Sequence, residues 1–202
     1  MNRLGILLSG RGSNFLAIHR AIQDGRLPGT EIAVVLSNKS AAPGLQAARD
    51  LNIPAHHIPT AGLPPEERDL PYIAALREAK VDLVCLAGYM RIISPAFVDA
   101  FRDRILNVHP SLLPAFPGLE SQTQALEFGA KIAGCTVHFV DEKMDHGVII
   151  LQKAITIEDS DTPDTLSARI LAEEHQAYPE AIAHVLSGQY TAQNRRYIKN
   201  KN

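Results

Sequence analysis

An asparagine and a histidine lie two residues apart in the apolar run ILNVH, which a proline ends at once. Because strand side chains alternate between faces, Asn107 and His109 are predicted to share one face at the end of a strand. An amide and an imidazole side by side can both donate hydrogen bonds to an oxyanion forming on a carbonyl carbon, as acyl transfer requires. Taken alone, such a pair is more often a strand end whose polar groups make ordinary loop hydrogen bonds.

A carboxylate in the later sequence KMDHG could complete such a site. If Asp145 reaches His109, it would favour the imidazolium form and could take protons from an attacking amine, directly or through water. Asp-His-Gly is also a good turn sequence, and the separation along the chain leaves the contact open. No serine lies in a nucleophile elbow and the 8 histidines show no metal-ligand spacing. The chemistry indicated is direct transfer without a covalent intermediate and without a metal.

A glycine-rich loop, SGRGSN, follows the first apolar run. Gly10 and Gly12 allow close backbone approach, and the amides of Gly12, Ser13 and Asn14 would point outward at the start of a helix, where a phosphate is favoured. Phe15 occupies the third glycine position of a dinucleotide fingerprint and no GK[ST] follows, so the loop suits a single terminal phosphate. A tight strand-to-helix turn with Ser13 or Asn14 as the N-cap explains the loop equally well.

The first half of the chain alternates short apolar runs with stretches of helical periodicity, which is typical of βαβ units on a parallel sheet. The predicted strands are 4–8, 31–37, 56–58, 81–87 and 105–109, and the predicted helices are about 14–24, 43–51, 65–79 and 95–103. The nearly continuous apolar character of the strands indicates burial on both faces. Asn107 and His109 therefore fall at the carboxyl edge of the sheet, where ligands of open α/β folds bind.

The second half of the chain has a different pattern. The runs 133–140 and 148–157 flank a short polar loop, which predicts an antiparallel pair that extends the sheet. A final helix is predicted over about 164–186, with Thr162 or Asp161 as its cap and Gly188 just past its end. The tail from residue 189 is polar and is predicted to lie on the surface.

The composition favours a globular protein and argues against a membrane or nucleic-acid-binding protein. The chain has 202 residues, 46% of them hydrophobic and 21% charged, which predicts one globular domain over 1–202. Two cysteines in apolar runs and no targeting signal indicate a reducing, cytoplasmic location. No run approaches the roughly 20 apolar residues of a membrane span. A net charge of -2 and scattered basic residues argue against a nucleic-acid surface.

Several longer segments together resemble a known family. They are LLSGRGSNFLAI, VLSNK, LAGYMRIISPAFV, ILNVHPSLLPAFPG, QALEFG, GCTVHFVDEKMDHGVIILQ and EEHQAYP, and they cover nearly the whole chain in order. The chain resembles the glycinamide ribonucleotide formyltransferases, folate-dependent enzymes of purine biosynthesis. The wider formyltransferase group shares the N-x-H element, the SLLP sequence and the later aspartate. The GRGSN loop and an end soon after EEHQAYP favour this member of the group.

The resemblance implies a fold, a reaction and a set of residues. The fold would be the Rossmann-like α/β formyltransferase fold, a mostly parallel sheet with helices on both faces and an antiparallel C-terminal extension. The formyl group of the co-substrate N10-formyltetrahydrofolate would pass to the amine of glycinamide ribonucleotide, with no metal. The matching positions are Asn107, His109 and Asp145 for catalysis; Arg11, Gly12, Ser13 and Asn14 for the phosphate; Glu174 for the sugar and glycinamide; and Met90, Arg91, Ile92, Ile93, Asn107, Val140, Asp141 and Glu142 for the folate.

Other expectations from the resemblance are coarser. Residues of about 1–100 would form the phosphate-binding part and about 85–190 the folate-binding and catalytic part, in a monomer or a homodimer with small-molecule partners. Arg68 stands in the stretch where the family has an arginine that reaches the folate, and whether it takes that role is open. Glu120 and Ser121 stand where some members carry histidine or another basic residue.

The alternatives are a formyltetrahydrofolate hydrolase, a sugar-amine formyltransferase and a nucleotide-binding module without catalysis. A methionyl-tRNA formyltransferase would need a further C-terminal domain and a basic surface. The hydrolase would normally carry a regulatory domain ahead of the first strand, which begins here at residue 4. The phosphate loop argues against the sugar-amine enzyme.

Overall fold

A computed structural model describes residues 1–201, without the side chains of Pro65 and Glu66. The chain forms two compact units, Met1–Asn107 and the part that begins at Val108. The expectation of one domain over residues 1–202, with its two functional parts, stays a prediction.

The first unit is built on parallel strands. These are β1 (Asn2–Leu8), β2 (Thr30–Ser37), β3 (Ala55–His57), β4 (Leu83–Leu86) and β5 (Ile105–His109), whose last two residues belong to the second unit. They pair in the order β3-β2-β1-β4-β5, always in parallel. Leu4, Ile6, Leu7 and Leu8 of β1 are completely buried, as a strand covered on both faces must be. The predicted α/β class and parallel sheet are confirmed.

Four helices connect these strands: α1 (Ser13–Gln23), α2 (Pro43–Asp50), α3 (Pro65–Glu78) and α4 (Pro95–Ala100). The prediction that α4 continues to residue 103 is wrong. Phe101 is buried with a φ of -131°, and Asp103 has a φ of 59°, so the backbone leaves the helical conformation directly after Ala100. Phe101 is thus buried just beyond the last helical residue.

The second unit contains the antiparallel pair that the sequence predicts. Strands β6 (Ile132–Phe139) and β7 (Ile149–Thr156) pair in antiparallel register, with Cys135 opposite Lys153. Helix α6 (Pro163–Leu186) begins after Thr162, whose hydroxyl accepts a hydrogen bond from the Thr165 amide in a capping box. An ion pair of 2.9 Å between Lys153 and Glu180 connects β7 to this helix.

Two features of the second unit were not predicted. Helix α5 (Ser121–Phe128) has too few apolar positions to show helical periodicity. The tail, expected only to lie on the surface, forms a hairpin of β8 (Tyr190–Gln193) and β9 (Arg196–Lys199), and β9 pairs with β7. A row of ring contacts connects this C-terminal hairpin to α6 and β6, and tertiary packing therefore decides its conformation. Among the described residues, no helix is both long and apolar enough to span a bilayer.

Candidate functional site

His109 is the last residue of β5 and is 5% exposed. Its Nδ1 atom lies 3.5 Å from Oδ2 of Asp145, and its Nε2 atom lies 3.0 Å from the carbonyl oxygen of Phe116. A carbonyl oxygen can only accept a hydrogen bond, and so can an ionised carboxylate. A proton on Nε2 would satisfy the Phe116 carbonyl oxygen, and a proton on Nδ1 would face the Asp145 carboxylate.

Asp145 lies in the connection between β6 and β7, with its side chain 10% exposed. Its Oδ2 atom also accepts a hydrogen bond of 2.8 Å from the Gly118 amide, which fixes the carboxylate toward His109. The backbone of Asp145 has a φ of 51°, in the left-handed region that a residue with a side chain seldom occupies. The contact left open by the sequence is thus present.

His138, on β6, faces the same carboxylate and was missed by the sequence reasoning. Its Nε2 atom lies 3.9 Å from Oδ1 of Asp145, and its Nδ1 atom is 2.7 Å from the carbonyl oxygen of Phe139. Burial lowers the pKa of His138, although the Phe139 carbonyl and the charge of Asp145 act against that shift. Asp145 thus has two imidazole neighbours, and burial disfavours the charged form of His138. Only its position in the buried run GCTVHF marked His138 in the sequence.

Asn107 is half-buried and lies two residues before His109 on the same strand. The alternation of the strand puts the two side chains on one side, while Val108 between them is buried in the opposite direction. This part of the predicted trio follows from strand geometry alone.

The glycine-rich loop begins α1 as predicted, but its cap differs. Gly12 is the N-cap, with a φ of 76°, and no side chain caps the helix, so the prediction of Ser13 or Asn14 as N-cap is wrong. A hydrogen bond of 3.1 Å from the Gly44 amide to the Gly10 carbonyl supports the loop. The first turn of α1 thus starts without a capping oxygen, which is the arrangement that an anion completes.

The exposures of the loop residues suit such a role. Gly12 and Asn14 are buried, Ser13 is half-buried, and the Arg11 side chain is exposed. Ser9, which the sequence reasoning did not single out, donates to Oδ1 of Asn38 over 2.6 Å. Ser9 Oγ also accepts a 2.8 Å hydrogen bond from the Met90 amide. It therefore joins the loop to the predicted folate-binding segment.

That segment, residues 90–93, exposes apolar side chains. Met90 is 68% exposed and Ile92 is 71% exposed, which is unusual for side chains of this size and suits an apolar ring that would cover them. Arg91 and Ile93 are half-buried, and Nη1 of Arg91 donates to Oγ1 of Thr60 over 3.0 Å.

Helix α3 also supports the 90–93 segment, through a hydrogen bond to its backbone. Arg68 donates to the Ile92 carbonyl oxygen and forms an ion pair of 3.2 Å with Asp69. The Asp69 carboxylate is buried and accepts a hydrogen bond of 2.6 Å from the Ser94 amide. Arg68 is thus beside the predicted folate segment. Its role toward the folate itself stays a prediction.

The other predicted folate residues lie in the 140–147 loop. Val140 is half-buried and Glu142 is exposed. Asp141 accepts hydrogen bonds from Nδ1 of His146 over 2.8 Å and from the Lys143 amide over 2.9 Å. Partial burial acts to raise the pKa of Asp141, but these bonds and the charge of Arg195 bring it below its ordinary range. The Asp141 carboxylate is therefore hydrogen-bonded to groups of its own loop.

Three remaining predicted positions belong to the second unit. Glu174, on α6, is 7% exposed, and buried carboxylates of this kind are often functional. Ser121 is buried and its hydroxyl donates to the Pro110 carbonyl oxygen over 3.0 Å. Glu120 is exposed, with a φ of 56°. Neither Glu120 nor Ser121 supplies a positive charge, and any binding of phosphate there would depend on backbone amides.

Comparisons with known proteins identify the family of the chain. A family model described as formyl transferase matches residues 2–182. The trifunctional purine biosynthetic protein adenosine-3 of Drosophila pseudoobscura pseudoobscura is 46% identical over 188 residues, which are 92% of this chain and 14% of that protein. The phosphoribosylglycinamide formyltransferase of Escherichia coli (strain K12) is 41% identical over 184 residues, covering 91% of this chain and 86% of that enzyme.

One solved structure is similar over the whole length of this chain. The glycinamide ribonucleotide transformylase 1 of Symbiobacterium toebii matches with a TM-score of 0.96 and 48% identity, over 100% of this chain and 95% of that one. The chain spans only 14% of the length of the trifunctional relative. The family model and these relatives together show that the chain belongs to the formyl transferase family.

Proposed function

We propose that this protein transfers the formyl group of N10-formyltetrahydrofolate to the amine of glycinamide ribonucleotide. The observation that carries the proposal is the position of His109, between the Asp145 carboxylate at 3.5 Å and a carbonyl oxygen at 3.0 Å. This environment favours a positively charged hydrogen-bond donor. Such a donor would stabilise the negative charge that develops on the carbonyl oxygen during acyl transfer. The names of the relatives supply the acceptor, glycinamide ribonucleotide, and the resemblance of the sequence to the family supplies the formyl donor.

The reaction needs no covalent attachment to the protein. The neutral amine attacks the formyl carbon and forms a C–N bond, and the carbonyl oxygen becomes an oxyanion that His109 and Asn107 stabilise by hydrogen bonds. Asp145 sustains the imidazolium and accepts the proton that the amine loses, directly or through water. Collapse of the intermediate breaks the bond from the formyl carbon to N10, and N10 takes up the proton that Asp145 accepted, directly or through water.

One contact must change for this step to occur. Nε2 of His109 is occupied by the Phe116 carbonyl oxygen in the described conformation. Phe116 has a φ of 51°, so its loop has an uncommon backbone conformation at this position. Substrate must displace this carbonyl or share the proton with it.

The substrates would be held by separate groups of residues. The amides of Gly12, Ser13 and Asn14, with the Arg11 side chain, bind the phosphate, and Glu174 holds the sugar and glycinamide. The exposed side chains of Met90 and Ile92 would contact the pterin. The other residues assigned to the folate are Arg91, Ile93 and Asn107 of the first unit and Val140, Asp141 and Glu142 of the second. The protein works as a monomer or a homodimer in the cytoplasm, on small molecules and without a metal.

An absorbance assay for the deformylated folate product tests the proposal. Product should form only when glycinamide ribonucleotide is present, and glucosamine phosphates and free amino sugars should not replace it. Product without any acceptor would indicate a hydrolase, and no product under any condition would leave a binding module. Either result would refute the proposed transfer.

A further inference from the structure

The 90–93 segment, which is proposed to contact the formyl donor, belongs to a stretch of irregular backbone. Residues 89–94 form neither a helix nor a strand. Such a stretch keeps one conformation only where other parts of the protein bind its backbone N–H and C=O groups. The Met90 amide, for example, donates to Oγ of the buried Ser9 over 2.8 Å. The conformation of the segment therefore depends on side chains from outside it.

Two adjacent residues of α3 bind the other end of this stretch. Arg68 donates from Nη2 to the carbonyl oxygen of Ile92. Asp69 accepts a hydrogen bond of 2.6 Å from the Ser94 amide at its Oδ2 atom. The backbone is thus bound at Ile92 and at Ser94 by a cation and an anion that follow each other in the sequence.

Arg68 and Asp69 also bind each other. Nε of Arg68 lies 3.2 Å from Oδ1 of Asp69, and the two side chains are only 15% and 2% exposed. A buried carboxylate is costly unless its oxygens have partners, and here each oxygen faces a donor. Charge-assisted hydrogen bonds of this kind are strong and directional. Asp69 therefore orients the guanidinium that reaches Ile92.

Helix α3 is a firm support for this pair. Tyr72, one turn after Arg68, is completely buried. Its ring packs edge-on against the ring of Tyr89, with 5.8 Å between the centroids, and Tyr89 directly precedes the 90–93 segment. The helix is thus packed against the same stretch of chain that its two charged residues bind.

We propose that Arg68 and Asp69 are positioning residues that hold the 90–93 segment in the conformation that receives the formyl donor. Arg68 acts through the Ile92 carbonyl oxygen, and Asp69 acts through Arg68 and the Ser94 amide. Asp69 offsets the charge of Arg68, whose Nε and Nη2 atoms already bind protein groups, so Arg68 does not serve as the contact for the carboxylates of the donor. The proposal rests on the proposed function for the identity of the ligand.

Binding of two donor analogues separates positioning from direct contact. N10-formylfolic acid carries the glutamate carboxylates, and N10-formylpteroic acid lacks the glutamate. Arg68→Ala should weaken the binding of both about tenfold in calorimetry, as expected if the segment is then in place about a tenth of the time. Arg77→Ala removes an exposed arginine from the same helix and should bind both like the wild type. Weaker binding of N10-formylfolic acid alone would show that Arg68 contacts the glutamate, and the proposal would be wrong.

For Asp69→Asn the two roles predict effects of opposite sign. The amide oxygen can still accept from Ser94, but the charge that orients Arg68 is lost. If Arg68 positions the segment, both analogues should bind about threefold or more weakly than to the wild type. If Arg68 served the donor's carboxylates, its release from Asp69 would instead strengthen the binding of N10-formylfolic acid. Stronger or unchanged binding would therefore refute the positioning role.

Hydrogen exchange without any ligand tests the segment itself. The reporter is the Met90 amide, because its hydrogen bond goes to Ser9 and not to a replaced residue. If the pair holds the whole segment, this amide should exchange about threefold or more faster in Arg68→Ala and in Asp69→Asn than in Arg77→Ala. Equal exchange in the three variants would overturn the proposal.

Steady-state kinetics give a further readout. Arg68→Ala should raise the KM for the formyl donor about tenfold and leave kcat within threefold of the wild type, because His109 and Asp145 are unchanged. A decreased kcat with an unchanged KM would contradict a role in receiving the donor.

The outcomes separate this proposal from the proposed function. If the wild type neither binds the analogues nor forms product, the proposed function fails, and faster exchange of the Met90 amide in both variants leaves the positioning contact standing. If transfer occurs and both variants match Arg77→Ala in binding and in exchange, only the positioning contact fails.

Discussion

Replacing Asp145 with asparagine tests the central contact of the site. The change removes one charge and keeps the shape of the side chain, and the amide oxygen can still accept from the Gly118 amide at 2.8 Å. It leaves the imidazolium of His109 without its counter-ion and removes the group proposed to accept the proton of the amine. Folding should therefore change little, and catalysis should suffer.

The size of the effect follows from the geometry. Opposite unit charges 3.5 Å apart attract by roughly 5 kcal/mol at an effective dielectric constant of about 20. Desolvation offsets part of this, since the two side chains are only 6% and 10% exposed. A loss of about 2–4 kcal/mol in the transition state remains, which corresponds to a roughly 30- to 1,000-fold decrease in kcat.

The assay is steady-state formyl transfer at saturating concentrations of both substrates, together with thermal unfolding. Asp159→Asn is the matched control, because its carboxylate is 94% exposed and its ion pair with Lys131 should contribute at most about 1 kcal/mol. Asp145→Asn should unfold within a few degrees of the wild type. A kcat within about fivefold of the Asp159→Asn value would refute the assigned role of Asp145.

Further predictions address the oxyanion, the loop and the thiols. Asn107→Ala should lower kcat by about 10²–10³, from the loss of an oxyanion donor worth ~2.7–4 kcal/mol, with an unchanged circular dichroism spectrum; activity within tenfold would remove Asn107 from the mechanism. Gly147→Ala puts a Cβ 1.8 Å from the Phe139 carbonyl oxygen, so its Tm should fall by about 5–10 °C, whereas Gly10→Ala, with nothing within 4 Å, should lose less than half of that. Burial, with the charge of Glu174 in the same direction, raises the pKa of Cys135 to about 12, so a disulfide reagent at pH 8 should modify this thiol only after unfolding; rapid labelling of the folded protein would contradict its burial.

Fold class was predictable because it depends on short-range patterns. Continuous apolar runs such as LGILL can be buried only in a sheet that is covered on both faces, and β1 has that burial. Thr162 could be predicted as a cap for the same reason, since a capping hydroxyl and its partner Thr165 are three residues apart. The end of α4 could not be predicted, because the apolar pattern does not show that the backbone leaves the helical conformation at Phe101.

The candidate site also has parts that could be predicted from the sequence and parts that could not. Asn107 and His109 share a strand, so their relation is fixed by the alternation of that strand. The resemblance of the longer segments indicated Asp145. No short-range sequence pattern predicted that His138 and Gly118 contact Asp145 or that Phe116 contacts His109.

The α/β class, the polar strand end and the family were predictable, because each follows from residues that are neighbours along the chain or from segments in a recognisable order. The contact of Asp145 with His109, the hydrogen bond between Ser9 and Met90, and the pairing of the C-terminal hairpin with β7 became known only from the folded chain. These contacts join residues up to 81 positions apart. Their geometry depends on how segments distant in the sequence pack together. This packing cannot be deduced from the spacing of residues along the chain.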